Sequence, residues 1–405
     1  ISYLTMVLFF DIQPPVKFAI ASVTILLLFF TNEKIFHLDK FFILLLPMFY
    51  GMFYGIYNNT SYNIAKDVFY LISPIVYIIM GTVLYKKIKL RYILKLIVVF
   101  GVLITLKKMF LNYSAGGFSG LINPFSVRYE SGFRGDVTPT LALSILFFSN
   151  LFDIKIYRKK VLLSLLAINF LGFYLMASRV YMIVFLCFCI AYLIFRYRHK
   201  LTLISISTLL LLFIMYVFIS DIKFGTYSSD SFFGKIANSV NEINATNYRT
   251  DEEINTKYRG FESFMAWKGY IKGSIGTILF GEMGKLIDLE VYVVSLSDKP
   301  MRMIPILHNG YLYLLIKTGI VGVLMYAIFF FRLISFGVKM YFKTKNTQVN
   351  FIVNLYLGSI FAILITNYVI TAFYSGEMLL LQLLIGFGIT SLNDFNQKSQ
   401  TNSYE

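Results

Sequence analysis

Apolar runs of about 16 to 22 residues recur from one end of the sequence to the other, and no other feature constrains the fold as strongly. Each can cross a hydrocarbon core of ~30 Å as a helix rising ~1.5 Å per residue. In lipid every backbone polar group must be satisfied within the protein, which leaves only helices and closed β-barrels. Barrel strands alternate apolar and polar residues. Val161–Met176 and Val180–Phe195 are apolar on nearly every side, so the runs are helices. Composition agrees: 58% of residues are hydrophobic and 14% charged. Soluble domains carry about a quarter charged residues.

The spans fall near 1–10, 16–31, 41–57, 68–85, 92–111, 138–153, 161–176, 180–196, 201–220, 309–331, 350–372 and 377–393. The expected fold is an all-α polytopic membrane protein of about twelve transmembrane helices. Residues 1–220 would hold spans 1–9, with an outer loop near 112–137. Residues 221–308 would form one large helical loop, 309–393 spans 10–12, and 394–405 a cytoplasmic tail. The chain opens at Ile1 inside an apolar stretch, so residues 1–10 read as the end of a first span. No small-residue cleavage site precedes Asp11, so a cleaved signal peptide is not expected.

A net charge of +16 raises the question of nucleic acid, and position answers it. The basic residues cluster in short loops: Lys86, Lys87, Lys89 and Arg91; Lys155, Arg158, Lys159 and Lys160; Arg196, Arg198 and Lys200; Arg332, Lys339, Lys343 and Lys345. Alternate threading puts all four clusters on one side, which the positive-inside rule makes the cytoplasm. No nucleic-acid partner is expected; membrane lipids are. Cys187 and Cys189 lie mid-span, where cysteine packs as a small apolar residue. The segment 221–307 holds nearly equal numbers of acidic and basic residues and the only tryptophan, Trp267, so it is water-exposed. No internal repeat is evident, which disfavours an inverted-repeat transporter.

Threading also separates the three histidines. His37 and His199 fall in basic inner loops, the ordinary setting of a solvated histidine. His308 falls where the long loop re-enters the membrane, where a neutral imidazole is suited to accept a proton from an attacking hydroxyl. Arg179, Arg128, Arg134 and Arg259 lie on the outer face, against the charge bias. Guanidinium groups bind phosphate in a fork. The competing structural reading pairs them with Glu130, Asp136, Glu262 or Glu377.

Three stretches carry a family resemblance. Tyr258-Arg-Gly-Phe-Glu-Ser-Phe-Met-Ala-Trp267 is followed by Gly281-Glu-Met-Gly284 and then by His308-Asn-Gly-Tyr-Leu-Tyr-Leu-Leu-Ile-Lys-Thr-Gly319. With the Ser178-Arg179 hairpin and Arg128–Leu141, this order resembles the O-antigen polymerase and O-antigen ligase superfamily. That family has an Arg…Trp helix, a Gly-x-Gly turn, and His-Asn-x-Tyr-Leu with a glycine eleven residues after the histidine. The turn here is one residue longer, and the family's frequent Asn near the start of the span after the first loop is absent.

The resemblance implies a GT-C-like architecture in the bacterial inner (cytoplasmic) membrane, with its site facing the periplasm. It implies transfer of a glycan from undecaprenyl pyrophosphate to an acceptor hydroxyl, as in lipopolysaccharide and related polysaccharide biosynthesis. A polymerase uses a second lipid-linked repeat unit as acceptor, and a ligase uses lipid A-core. The His-Asn-Gly-Tyr-Leu region and the first loop favour the polymerase. His308 would be the general base and Arg179 and Arg259 the pyrophosphate clamp, supported by Arg128 and Arg134. Asn309, Tyr311 and Glu377 complete the expected substrate-binding set, and a chain-length regulator protein is a further expected partner. The outer face carries no Asp-x-Asp cluster, so no divalent metal and no cofactor are expected. A flippase or transporter for the same lipid-linked sugar is the alternative from another class. It would need charges lining the mid-span regions, which look almost uncharged.

Overall fold

The structure is a computed structural model describing residues 13–29, 39–127, 130–131, 135–196, 254, 257–293, 300–374 and 376–401. Helices stand at ten of the twelve expected segments. They are α1 (Pro14–Phe29), α2 (Asp39–Asn58), α3 (Ser61–Lys87), α4 (Leu90–Ile122), α5 (Thr138–Leu151), α6 (Lys159–Leu175) and α7 (Arg179–Arg196). After the long connection come α8 (Tyr258–Ile271), α9 (Ile275–Phe280), strands β1 (Ile287–Val293) and β2 (Met301–Ile304), and then α10 (Gly310–Lys343), α11 (Thr347–Ile370) and α12 (Leu379–Thr401). The expected spans 1–10 and 201–220 lie outside the described residues. By length and composition, α3, α10, α11 and the segment Gly376–Gln397 can each cross a membrane. Four shorter apolar helices accompany them, in α1, α2, α5 and α7.

Small residues set the closest helix crossings. Gly81 of α3 lies on the Leu383 backbone of α12, and Gly386 lies on the Ile78 carbonyl, so a Cβ at either would collide. Gly101 and Gly172 do the same for α4 and α6, against Asn169 and Thr105 respectively. Small residues are what let helices approach where lipid supplies no hydrophobic drive between them. Other contacts fix direction: Tyr85 near the end of α3 meets Phe387 and Asp394 toward the end of α12, so these two run parallel, while Tyr311 meets Leu364 and Leu333 meets Tyr356, so α10 and α11 run antiparallel.

Direction gathers three of the basic clusters at one end. Arg91 donates to the Ile156 carbonyl at 3.4 Å, and the Lys95 ammonium sits 5.4 Å from the Tyr157 ring. Tyr85 packs on Phe387 near the end of α3, and Lys343 donates to Asn396 at 2.5 Å where α10 and α12 finish. At the opposite end α10 begins, α11 finishes, and the turn 281–284 meets α2 and α3.

Two expectations are corrected. The outer loop near 112–137 begins as helix: α4 continues to Ile122 and bends at Gly117, whose φ of 59° only glycine adopts cheaply. The 221–308 loop, expected to be helical, contains an antiparallel hairpin pairing Ile287 with Ile304 and Asp288 with Met303. The reason is local. Ile287 and Leu289 point into the core while Asp288 and Glu290 do not, a period of two that a register shift interrupts at exposed Val291 before Val293 turns inward again. Among the described residues an all-α description therefore needs this one exception.

Candidate functional site

Asn309 starts α10. Its side-chain oxygen accepts from the backbone N–H of Tyr311 at 3.0 Å and of Leu312 at 3.2 Å, satisfying two orphan donors of the first turn. This cap holds His308 just before the helix. Thr371, which closes α11 in the left-handed region, donates its hydroxyl to the carbonyls of Leu307 and His308 and fixes the backbone from the other side. Gly310 lies so close to the Asn367 amide that a Cβ there would collide with it.

The imidazole is held by one partner. His308 Nδ1 is 2.7 Å from Glu262 Oε2, and the His308 backbone N–H donates to Glu262 Oε1 at 2.6 Å. Both carboxylate oxygens of one residue thus fix the backbone and the ring of another 46 positions away. The Glu262 side chain is 2% exposed and that of His308 is 37% exposed. An ionised carboxylate only accepts, so opposite one Nδ1 is the donor, and Nε2 is the ring nitrogen that Glu262 does not engage. Tyr258, one turn before Glu262 on α8, meets the imidazole edge-on at 6.1 Å between ring centroids. Burial, and then the Glu262 charge, raise the Tyr258 hydroxyl above its ordinary value, so it stays a neutral phenol. That hydroxyl is buried and has no hydrogen-bond partner among the described residues.

The other expected residues divide by location. Arg259 begins α8, three positions before Glu262, and is half-buried. Arg179 begins α7, which packs antiparallel on α11 with Phe188 against Gly358, so its first turn lies at the end where α11 finishes. Glu377 lies exposed in the 3-10 turn Gly376–Met378 at that same end. Tyr311 is half-buried and donates its hydroxyl to the Leu364 carbonyl at 2.6 Å, a bond that locks α10 to α11. Arg128, Arg134, His37 and His199 lie outside the described residues. Asp136, weighed as an arginine partner, caps α5 through the N–H and hydroxyl of Thr138 at 2.7 and 2.5 Å. Glu262, weighed in the same way, holds the histidine.

A second polar cluster lies beneath this one. Lys317 and Asp67 form an ion pair of 2.7 Å at 1% and 3% exposure. Asp67 also accepts from the Tyr313 hydroxyl at 2.8 Å and from the Gly284 N–H at 2.6 Å, and Lys317 donates to the Lys285 carbonyl at 2.6 Å. The expectation of nearly uncharged spans is corrected here: Asp67, Lys317 and Lys108 are all buried in helices. The pair clamps the turn 281–284, which also receives Asn59 Nδ2 on the Met283 carbonyl at 3.1 Å. The glycine eleven residues after His308 has its reason in this turn. Gly319 bends α10 at φ 66° and lies on the Leu279 backbone, while Gly281 at φ 75° lies on Thr318 and Gly319. A cleft of about 160 Å³ between α8 and β1, lined in part by Lys268, Lys285 and Ile287, includes neither His308 nor Glu262. Among the described residues no three His, Cys, Asp or Glu side chains gather as metal ligands would.

Glu262 was legible only as an acid among the apolar residues of the α8 inner face, and the charges at Asp67 and Lys317 as breaks in apolar runs. Fold and site together define a helical membrane protein that carries, at one end of its bundle, a half-exposed histidine oriented by a buried glutamate. The chain matches no protein-family model, and no curated protein is significantly similar to it in sequence.

Proposed function

We propose that the chain is a metal-independent glycosyltransferase of the inner membrane, working on its periplasmic face and polymerising glycan repeat units carried on undecaprenyl pyrophosphate. The observation that carries the reading is the Glu262–His308 pair. It leaves Nε2 as a base whose direction is set by a buried carboxylate rather than by solvent. An acceptor hydroxyl would lose its proton to Nε2 as its oxygen bonds to the anomeric carbon. The bond from that carbon to the pyrophosphate oxygen would break, the configuration would invert, and the lipid pyrophosphate would leave with its charge met by Arg179 and Arg259. Glu262 does not take the proton; it stabilises the imidazolium that forms.

Purified protein with a defined lipid-linked repeat unit tests this. General-base help is worth roughly 10²- to 10⁴-fold, and His308→Ala should lose at least that while donor binding persists. Glu262→Gln should retain the fold, since the amide oxygen can still accept from the His308 backbone N–H. Its rate should fall, and its pH profile should shift relative to the parent. Normal turnover by His308→Ala would place the base elsewhere. Turnover only with a lipid A-core acceptor would make the enzyme a ligase, keeping the same chemistry.

A further inference from the structure

We propose that the outer face of α8 and α9 is a lipid-contact surface, seated at the boundary between headgroups and acyl chains of an anionic bilayer. This goes beyond the transfer reaction and stands whether or not the chain transfers sugars. α8 presents Phe261, Glu262, Met265 and Tyr270 to the protein. Its other side carries Trp267 and Ile271, four residues apart and 49% and 54% exposed. A helix lying on a loop in water puts polar residues on such a face. The stripe runs on into α9 with Ile275 at 78% and Leu279 at 39% exposure.

Depth argues for lipid over water. The backbone of Leu279 and Phe280 lies on Gly319, which is nine residues into α10 from Gly310 and therefore about 14 Å along that helix. On the other flank, Gly51 of α2 lies against the Phe280 and Lys317 carbonyls, about 10 Å before the end of α2 at Asn58. α9 thus lies beside the helix ends, not above them. The stripe is also continuous with a second exposed apolar surface, on α2. Phe280 packs on Tyr50 at 5.1 Å and Tyr54 at 6.4 Å between centroids, and the same apolar helix exposes Phe49, Phe53 and Tyr57. Lys272 flanks the stripe, and such a side chain buries its stem in the apolar layer and lifts the ammonium to lipid phosphate, while Lys268 beside it is held by Glu290 at 2.7 Å. Because Glu262 lies on the same helix as the stripe, lipid contact would hold His308 at the headgroup plane.

Trp267 is the only tryptophan and reports on its own surroundings. The full chain is reconstituted into vesicles of phosphatidylcholine and phosphatidylglycerol with acyl chains brominated at shallow or deep positions. Trp267→Phe supplies the background. The expected result is a blue-shifted emission that loses most of its intensity to shallow bromines, less to deep ones, and little to aqueous iodide. Quenching by iodide and not by bromolipid would place the face in water. Strongest quenching by deep bromines would place it in the hydrocarbon interior. Resistance to both would mean that another segment or a second copy of the chain covers it. Each of these three outcomes overturns the proposal.

Discussion

Removing one member of the Asp67–Lys317 pair is the sharpest test of how the long loop is held. In Lys317→Met the Asp67 carboxylate stays buried with only the Tyr313 hydroxyl and the Gly284 N–H, both neutral donors, and the Lys285 carbonyl loses its partner. Breaking a buried pair from one side typically costs ~3–5 kcal/mol, because a charge is left uncompensated. At 1.4 kcal/mol per tenfold, that is a shift of roughly 10²- to 4 × 10³-fold in the unfolding equilibrium. Asp67→Asn with Lys317→Met removes both charges, while the amide oxygen still accepts from Gly284. The double variant should recover most of the loss, so the coupling energy should be at least as large as either single loss. Denaturant unfolding in one fixed detergent, run on the parent, both singles and the double, measures the cycle. Limited proteolysis of residues 257–304 shows whether the clamped turn opens first. Parent-like stability in Lys317→Met, or a double-variant loss equal to the sum of the singles, would refute the clamp.

Arg179→Ala and Arg259→Ala should each cripple transfer at near-normal protein level, with Lys rescuing only in part because it lacks the bidentate fork; full activity in both would remove the clamp on pyrophosphate. Gly319→Ala should destabilise by more than the ~1–3 kcal/mol of backbone strain alone, because its Cβ meets the Leu279 backbone. Gly117→Ala, with open space around it, should pay only the strain, so equal losses in thermal melts would contradict the packing argument. In the hairpin, hydrogen bonds from the Arg302 side chain and then from the Glu290 N–H lower the Asp288 carboxyl to about 2. A lowered folded pKa stabilises above the unfolded value of ~3.9 and is lost as pH falls through about 2. Nuclear magnetic resonance titration of Asp288 should therefore show a midpoint well below 3.9, and Arg302→Gln should raise it.

Helix positions were readable because they rest on local quantities. A run of apolar residues matched to a membrane's thickness needs no knowledge of its neighbours. α1, α2, α5, α6, α7 and α11 accordingly start and stop within a few residues of the expected runs, whereas α3 starts seven residues before its run and α10 continues twelve residues past its own. The gathering of basic clusters at one end follows from strict alternation of direction, which is also a one-dimensional property. The β1–β2 hairpin was readable in principle, since Ile287 and Leu289 alternate with Asp288 and Glu290, but a stretch this short is outweighed by a helical expectation for the whole loop.

The site is a different matter. Glu262 and His308 are 46 residues apart, and Asp67 and Gly284 are 217 apart; no periodicity links such pairs. From the sequence alone Glu262 was one of four acids that could have met an arginine. Only the seating of α8 against the start of α10 decided that it meets an imidazole instead. Likewise Gly281 and Gly319 are separate glycines until the turn docks against the bend of α10, where each removes the side chain that would hold the other away. The apolar pattern determined where the long helices stand. Long-range packing of a few buried polar groups, each costly unless paired, decided what those segments hold between them.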